Sequence, residues 1–186
     1  SLATVYGSDH AETCACFLSM TKWVRGAASD AIELQDWAVR HAASLKHAHS
    51  LAQAYAYRGF LYCLVGDGGR IRSDAQDALR IASANNLRLM RVFAECLLAV
   101  ADAMQTVSPE TTSALATAID RLDDAAPKAL RPFLLTIVAD AHRRLRRFDQ
   151  GLTTVDEADA IVRQTTERWA AAEVSRVRGA LLADSG

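Results

Sequence analysis

Three separate series of residues recur at one spacing of 40, and no gap is needed to align them. Ser19, Gly59, Ala99, Ala139 and Gly179 are all small; Ala38, Ala78, Ala118 and Ala158 are all alanine; Gly26, Gly66, Thr106, Arg146 and Gly186 fall where the helical pattern breaks. Self-similarity at a fixed period of this length marks a repeat array, in which each unit buries its apolar face against the next. A small residue recurring in mid-helix lets a helix approach its hairpin partner closely, because a larger side chain would hold the axes apart. Around those positions lie the apolar packers Phe17, Tyr57, Leu97, Ile137 and Val177 on the first helix of each pair. The second helix contributes Val39, Leu79 and Ile119, with Leu122 and Val162 one turn farther along.

Helical periodicity is carried by nine segments: His10 to Val24, Asp30 to Leu45, Ser50 to Val65, Ile71 to Ala84, Arg88 to Gln105, Glu110 to Asp123, Arg131 to Arg146, Asp149 to Thr165 and Arg168 to Ala183. The breaks between them are short, which makes neighbouring helices antiparallel. Pro109, Pro127 and Pro132 all stand where the pattern is interrupted. Strand-like alternation persists nowhere, so the expected fold is all-α. With 51% apolar and 23% charged residues, the 186-residue chain can build a core from small and aliphatic side chains, which excludes a disordered or low-complexity chain. Its formal net charge of -1 supplies no positive field for nucleic acid or an anionic membrane. Cys14, Cys16, Cys63 and Cys96 show neither zinc-site spacing nor the density of a disulfide scaffold, and a reduced, cytoplasmic setting is expected. The opening Ser1, without an initiator Met, gives the expectation that residues 1–186 form a single helical repeat domain cut from a longer chain.

A small residue, a turn glycine seven residues on, and two alanine-type positions on the second helix give an order that resembles the tetratricopeptide repeat. It reads Gly59, Tyr62, Gly66, Ala75 and Ala78 in the second unit, and Ser19, Gly26, Ala31 and Ala38 in the first. That repeat is usually about 34 residues long, so a 40-residue period implies helices about a turn longer, in the length range of HEAT units. A narrower resemblance rests on Tyr6-Gly7-Ser8-Asp9, Trp23-Val24-Arg25-Gly26, Gly66-Asp67, Arg131-Pro132-Phe133 with Leu134-Leu135, and Glu167-Arg168-Trp169 followed by Ala172-Glu173, Arg176, Arg178-Gly179 and Leu181-Leu182. These stretches look like the helical region of large bacterial signalling proteins, in which a nucleotide cyclase or a LuxR-type DNA-binding module accompanies a predicted ATPase. The resemblance implies a right-handed helical solenoid serving as a protein-interaction or oligomerisation scaffold within a cytoplasmic signalling or transcriptional regulator. The alternative is a regulatory sensor domain that takes a small ligand in the concave groove.

In such an array the first helix of each unit lines the concave face. That register assigns to the groove Cys16, Met20 and Trp23; Gln53, Ala56, Phe60 and Cys63; Phe93, Cys96, Val100 and Ala103; Phe133, Thr136, Asp140 and Arg143; then Glu173, Arg176 and Ala180. Phe60, Phe93, Arg143 and Arg176 are the candidate protein-binding anchors, two apolar and two cationic, suited to an acidic segment that carries apolar residues. The run His142-Arg143-Arg144-Leu145-Arg146-Arg147 reads as a solvated helix end whose cations meet unpaired carbonyls, with an anion site as the other reading. There is no GxSxG elbow, no Gly-rich phosphate loop and no HExxH, so neither an enzyme nor a metal or other cofactor is expected. Val174, Val177, Leu181 and Leu182 are expected to lack half their cover, which would favour self-association through the C-terminal helix.

Overall fold

The computed structural model describes residues 7–125, 128–165 and 168–186. Tyr6, Pro127 and Glu167, which the sequence argument used, lie outside them. Among the described residues there are nine α-helices and no strand, so the chain is all-α as expected. They are α1 (His10–Val24), α2 (Ala28–Ser44), α3 (Ala48–Val65), α4 (Gly68–Ala84), α5 (Arg88–Gln105), α6 (Pro109–Ala125), α7 (Arg131–Arg144), α8 (Phe148–Gln164) and α9 (Ala171–Ser185). A short 3-10 turn at Lys128–Leu130 leads into α7.

The connections follow a finer period than 40. Gly26, Lys46, Gly66 and Asn86 have φ of 83°, 51°, 83° and 55°, one left-handed residue every 20, and Arg146 at 56° falls in the same series. Left-handed backbone at the end of a helix lets the chain fold back onto the last carbonyls. Ala27 N–H bonds to the Lys22 carbonyl at 2.9 Å, Asp67 to Tyr62 at 3.1 Å, Leu87 to Ala82 at 2.9 Å and Arg147 to His142 at 2.9 Å. Each closes a Schellman-type end and starts the next helix one residue later. The turn after α5 is built differently: Ser108 Oγ accepts from Thr111 N–H at 3.2 Å, Thr111 Oγ1 accepts from Ser108 N–H at 3.0 Å, and Pro109 opens α6.

The helices group into two compact units, residues 1–101 and 102–186. In the first, α1 packs on α2, α3 on α4, α2 on α3, and α1 also on α3. In the second, α7 packs on α8, α8 on α9, α6 on α7, and α7 also on α9. Gly59 is approached from two helices: a Cβ there would stand 3.5 Å from Asp74 Cβ and 3.8 Å from the Ile71 carbonyl of its partner α4, as expected, but nearer still, at 3.0 Å, to Leu97 Cδ1 of α5. Ser19 is buried and its hydroxyl donates to Gln35 Oε1 of α2 at 2.6 Å, while Ala139 has its carbonyl 3.3 Å from where a Cβ on Gly151 of α8 would sit. The other two members depart from the series, because Ala99 is half-buried and Gly179 is exposed with open space around it. Ala38, Ala78 and Ala158 are fully buried, whereas Ala118 is half-buried.

Ion pairs tie helices together inside each unit. Arg58 on α3 grips Asp74 of α4 with two bonds, at 2.7 and 3.0 Å, and reaches Asp36 of α2 at 2.9 Å. Arg131 at the start of α7 meets Asp120 at 3.0 Å and Asp123, both on α6, and Glu157 of α8 at 2.6 Å. On α9 the expectation of missing cover is corrected. Val174, Val177 and Leu181 are buried against Leu135, Ala139, Val155, Ala158 and Val162, and only Leu182 stays outside. They point at α7 and α8, which already fill that side.

Candidate interaction site

The residues assigned to a groove are mostly core. Cys16, Gln53, Ala56, Phe60, Cys63, Cys96, Val100, Ala103, Phe133 and Thr136 are all buried, and Phe60, one of the four anchors, is only 2% exposed. Helical geometry gives the reason: at about 100° per residue, positions 56, 60 and 63 lie within about 100° of Gly59 around the axis. Gly59 faces its hairpin partner, so these side chains go into the core beside it. Phe93 is half-buried, with its ring stacked on Tyr57 at 6.3 Å between centroids. Arg143 is paired with Asp140 at 2.9 Å and Asp184 at 2.5 Å, and the exposed Arg176 with Glu173 at 2.6 Å. Within the first unit Phe60 is therefore closed to solvent, and within the second both arginines are committed to carboxylates.

What lies open is the other side of α1. Phe17, Leu18 and Val24 are 56%, 50% and 53% exposed, and Cys14 and Thr21 are exposed beside them. Steps of three, one, three and three residues put all five on one stripe of the helix. Thr21 spends its hydroxyl on the Phe17 carbonyl at 3.1 Å, so the stripe presents carbon and sulfur and carries no formal charge. Phe17 also meets Tyr57 edge-on at 5.3 Å, making a ladder Phe17, Tyr57, Phe93 across α1, α3 and α5. Sequence reasoning placed Phe17 and Tyr57 in the core. The signal that marked them was two aromatics 40 residues apart.

Beneath the stripe α1 carries a polar network without access to solvent. Glu12, Cys16, Ser19 and Gln35 are fully buried. The Cys16 thiol donates to Glu12 Oε1 at 3.0 Å, Thr13 Oγ1 donates to Glu12 Oε2 at 3.4 Å, and Gln35 Nε2 donates to the Ala54 carbonyl at 3.3 Å. Burial pushes the Glu12 carboxyl up to about 7 and the Cys16 thiol far above its ordinary range. It also raises Tyr57 to about 12, the Cys16 and Glu12 charges adding to the effect. A thiol so held is the opposite of an activated nucleophile.

Ser50 and His47 sit within hydrogen-bond reach at 3.0 Å, but Ser50 is fully buried and its hydroxyl oxygen accepts from the Asp9 N–H at 3.0 Å. His47 Nδ1 accepts from the Ser50 N–H at 3.3 Å, so the pair caps α3. Among the described residues no group of three or more His, Cys, Asp or Glu side chains is arranged to hold a metal ion. In the basic run, Arg146 takes the left-handed turn position and lies 5.2 Å over the Phe148 ring. No described helix is long and apolar enough to cross a membrane. Comparison with protein-family models, with curated proteins and with solved structures finds no match to this chain.

Proposed function

We propose that this chain is a tetratricopeptide-like right-handed helical solenoid that works as a protein-interaction scaffold in a cytoplasmic bacterial regulator, and that it engages polypeptide through α1. The observation that carries the reading is the uncharged stripe Cys14, Phe17, Leu18, Thr21 and Val24, which gathers onto one helix three of the seven exposed large hydrophobic side chains found among the described residues. An apolar surface concentrated in this way, rather than scattered singly, marks a place where another chain packs. The 20-residue turn series supports the repeat architecture. A small-ligand sensor is the less supported reading, because most of the side chains assigned to its groove are packed in the core.

Selection of helical peptides from a displayed library on the full chain tests the reading. Enriched peptides are expected to lose affinity by about ten-fold or more toward a Phe17→Ser/Leu18→Ser double variant, since central apolar anchors dominate such contacts. Peptides that bind the variant as well as the parent, or a library that enriches nothing, would remove it.

A further inference from the structure

The face left open on α1 has a defined neighbour on two other helices of the same kind. On α3 it consists of Ala54, Tyr57, Arg58 and Leu61: Ala54 packs with Val39 and Ala42 of α2, Tyr57 meets Phe17, Arg58 pairs with Asp36 at 2.9 Å, and Leu61 is fully buried. On α9 the residues 120 positions later are Val174, Val177, Arg178 and Leu181. There too the three apolar side chains are buried on the preceding hairpin, α7 and α8, and Arg178 pairs with Asp156 at 2.6 Å. Asp156 itself stands 120 residues after Asp36, so the ion pair recurs at the same register in both. Forty residues before the α3 set come Cys14, Phe17, Leu18 and Thr21, and all four are exposed.

Resting on the repeat reading above, we propose that this stripe is the receiving face for an antiparallel helical hairpin of the same repeat type, one whose second helix presents small aliphatic residues and no carboxylate opposite Leu18. The position that holds Arg58 on α3 and Arg178 on α9 is Leu18 on α1, which removes the cation that each aspartate answers. A carboxylate buried against leucine would lose its water without gaining a partner, so an occupant carrying an aspartate at that register is disfavoured; where this chain itself has an apolar residue in the arginine's place, Leu98 and Val138, the aspartate's place holds Gln76 and Ala116. A second copy of this chain docking through α9 fits less well, because the exposed side of α9 carries Arg176 held by Glu173 and would set charge on the stripe.

Cys14 is a built-in reporter: it lies on the stripe and is exposed, whereas Cys16, Cys63 and Cys96 are buried. The test inserts after Gly7 of the full chain a second copy of residues 8–47 carrying Cys14→Ala, Cys16→Ala and Asp36→Val, which keeps the 40-residue period into the resident Ser8. Alkylation of the resident Cys14 by iodoacetamide is expected to slow by about ten-fold or more, as for any group that reacts only when its cover opens. Leu18→Asp in the resident helix should restore the fast rate, and an inserted copy that keeps its Asp36 should protect less. Unchanged reactivity overturns the proposal whether or not the insert adds helicity, as does protection in the uninserted chain that grows with protein concentration, which would make a second copy the occupant. If the insert fails while displayed peptides still need Phe17 and Leu18, only the identity of the occupant falls; if both fail, the scaffold reading falls with it.

Discussion

Glu12 is the residue whose chemistry most exceeds what its position in the sequence announces. It reads as one of the acidic residues of a helix's first turn, yet it is fully buried, and among the described residues only a thiol and a hydroxyl donate to its carboxylate. No local pattern reveals this, because the burial comes from α2 and α3 packing over α1. Burial raises the carboxyl from an ordinary 4.5 to about 7. Between those values the folded chain keeps a proton that the unfolded chain has released, so a rise in pH favours unfolding. The stabilisation linked to that proton is complete below about pH 4.5, falls across the window and is gone above about pH 7, a loss of roughly 3 kcal/mol. Glu12→Gln should therefore match the parent at about pH 4 and exceed it by about 2–3 kcal/mol at about pH 8 in urea unfolding. A difference between the two proteins that does not change with pH would show that Glu12 is not the group responsible.

At the level of the helix, the period was legible because small side chains are a steric requirement written directly in the sequence. Ala38, Ala78 and Ala158 are buried as the spacing required, while Ala118, the fourth member, is only half-buried. The left-handed turns were only half legible: Gly26 and Gly66 announce themselves and Asn86 is a residue that takes this conformation readily, but Lys46 and Arg146 accept about 1–2 kcal/mol of strain there, and nothing in their side chains signals it. The groove face was misread for a geometric reason, since positions 56, 60 and 63 turn to the same side of α3 as Gly59. The member that sequence singled out on α9, Gly179, has open space around it, whereas the close approach is made by Gly151, where a Cβ would lie 2.5 Å from Leu181 Cδ2 and 3.3 Å from the Ala139 carbonyl. Leu181 is fully buried and has little room to withdraw. Gly151→Ala should destabilise by about 1–3 kcal/mol through overpacking, while Gly179→Ala should stabilise by about 1 kcal/mol through helix propensity alone. Thermal or denaturant midpoints of the two variants that move in the same direction would contradict this placement of the contact.

For the whole chain, the recurrence of Arg58 with Asp36 and of Arg178 with Asp156 at one register bears on how stability is distributed. The signal was present in the sequence as two arginine–aspartate pairs of equal spacing, 120 residues apart, but ion pairing between helices has no short motif that would draw attention to it. The pairs differ in what depends on them. Arg58 also neutralises Asp74, which is 3% exposed, whereas Arg178 and Asp156 are both partly open to solvent. Arg58→Met leaves a buried carboxylate without its partner and should cost about 3–5 kcal/mol; Arg178→Met should cost less than about 1 kcal/mol. On the repeat architecture proposed above, stability is close to a sum of local terms, so the larger loss should stay local. Amide hydrogen exchange of Arg58→Met should accelerate within residues 7–101 and keep the parent's rates within 102–186, and the double variant Arg58→Met/Asp74→Asn should recover part of the protection by removing the stranded charge. Uniform acceleration through both units would mean that the chain unfolds as one cooperative body, and the additive picture would have to be given up.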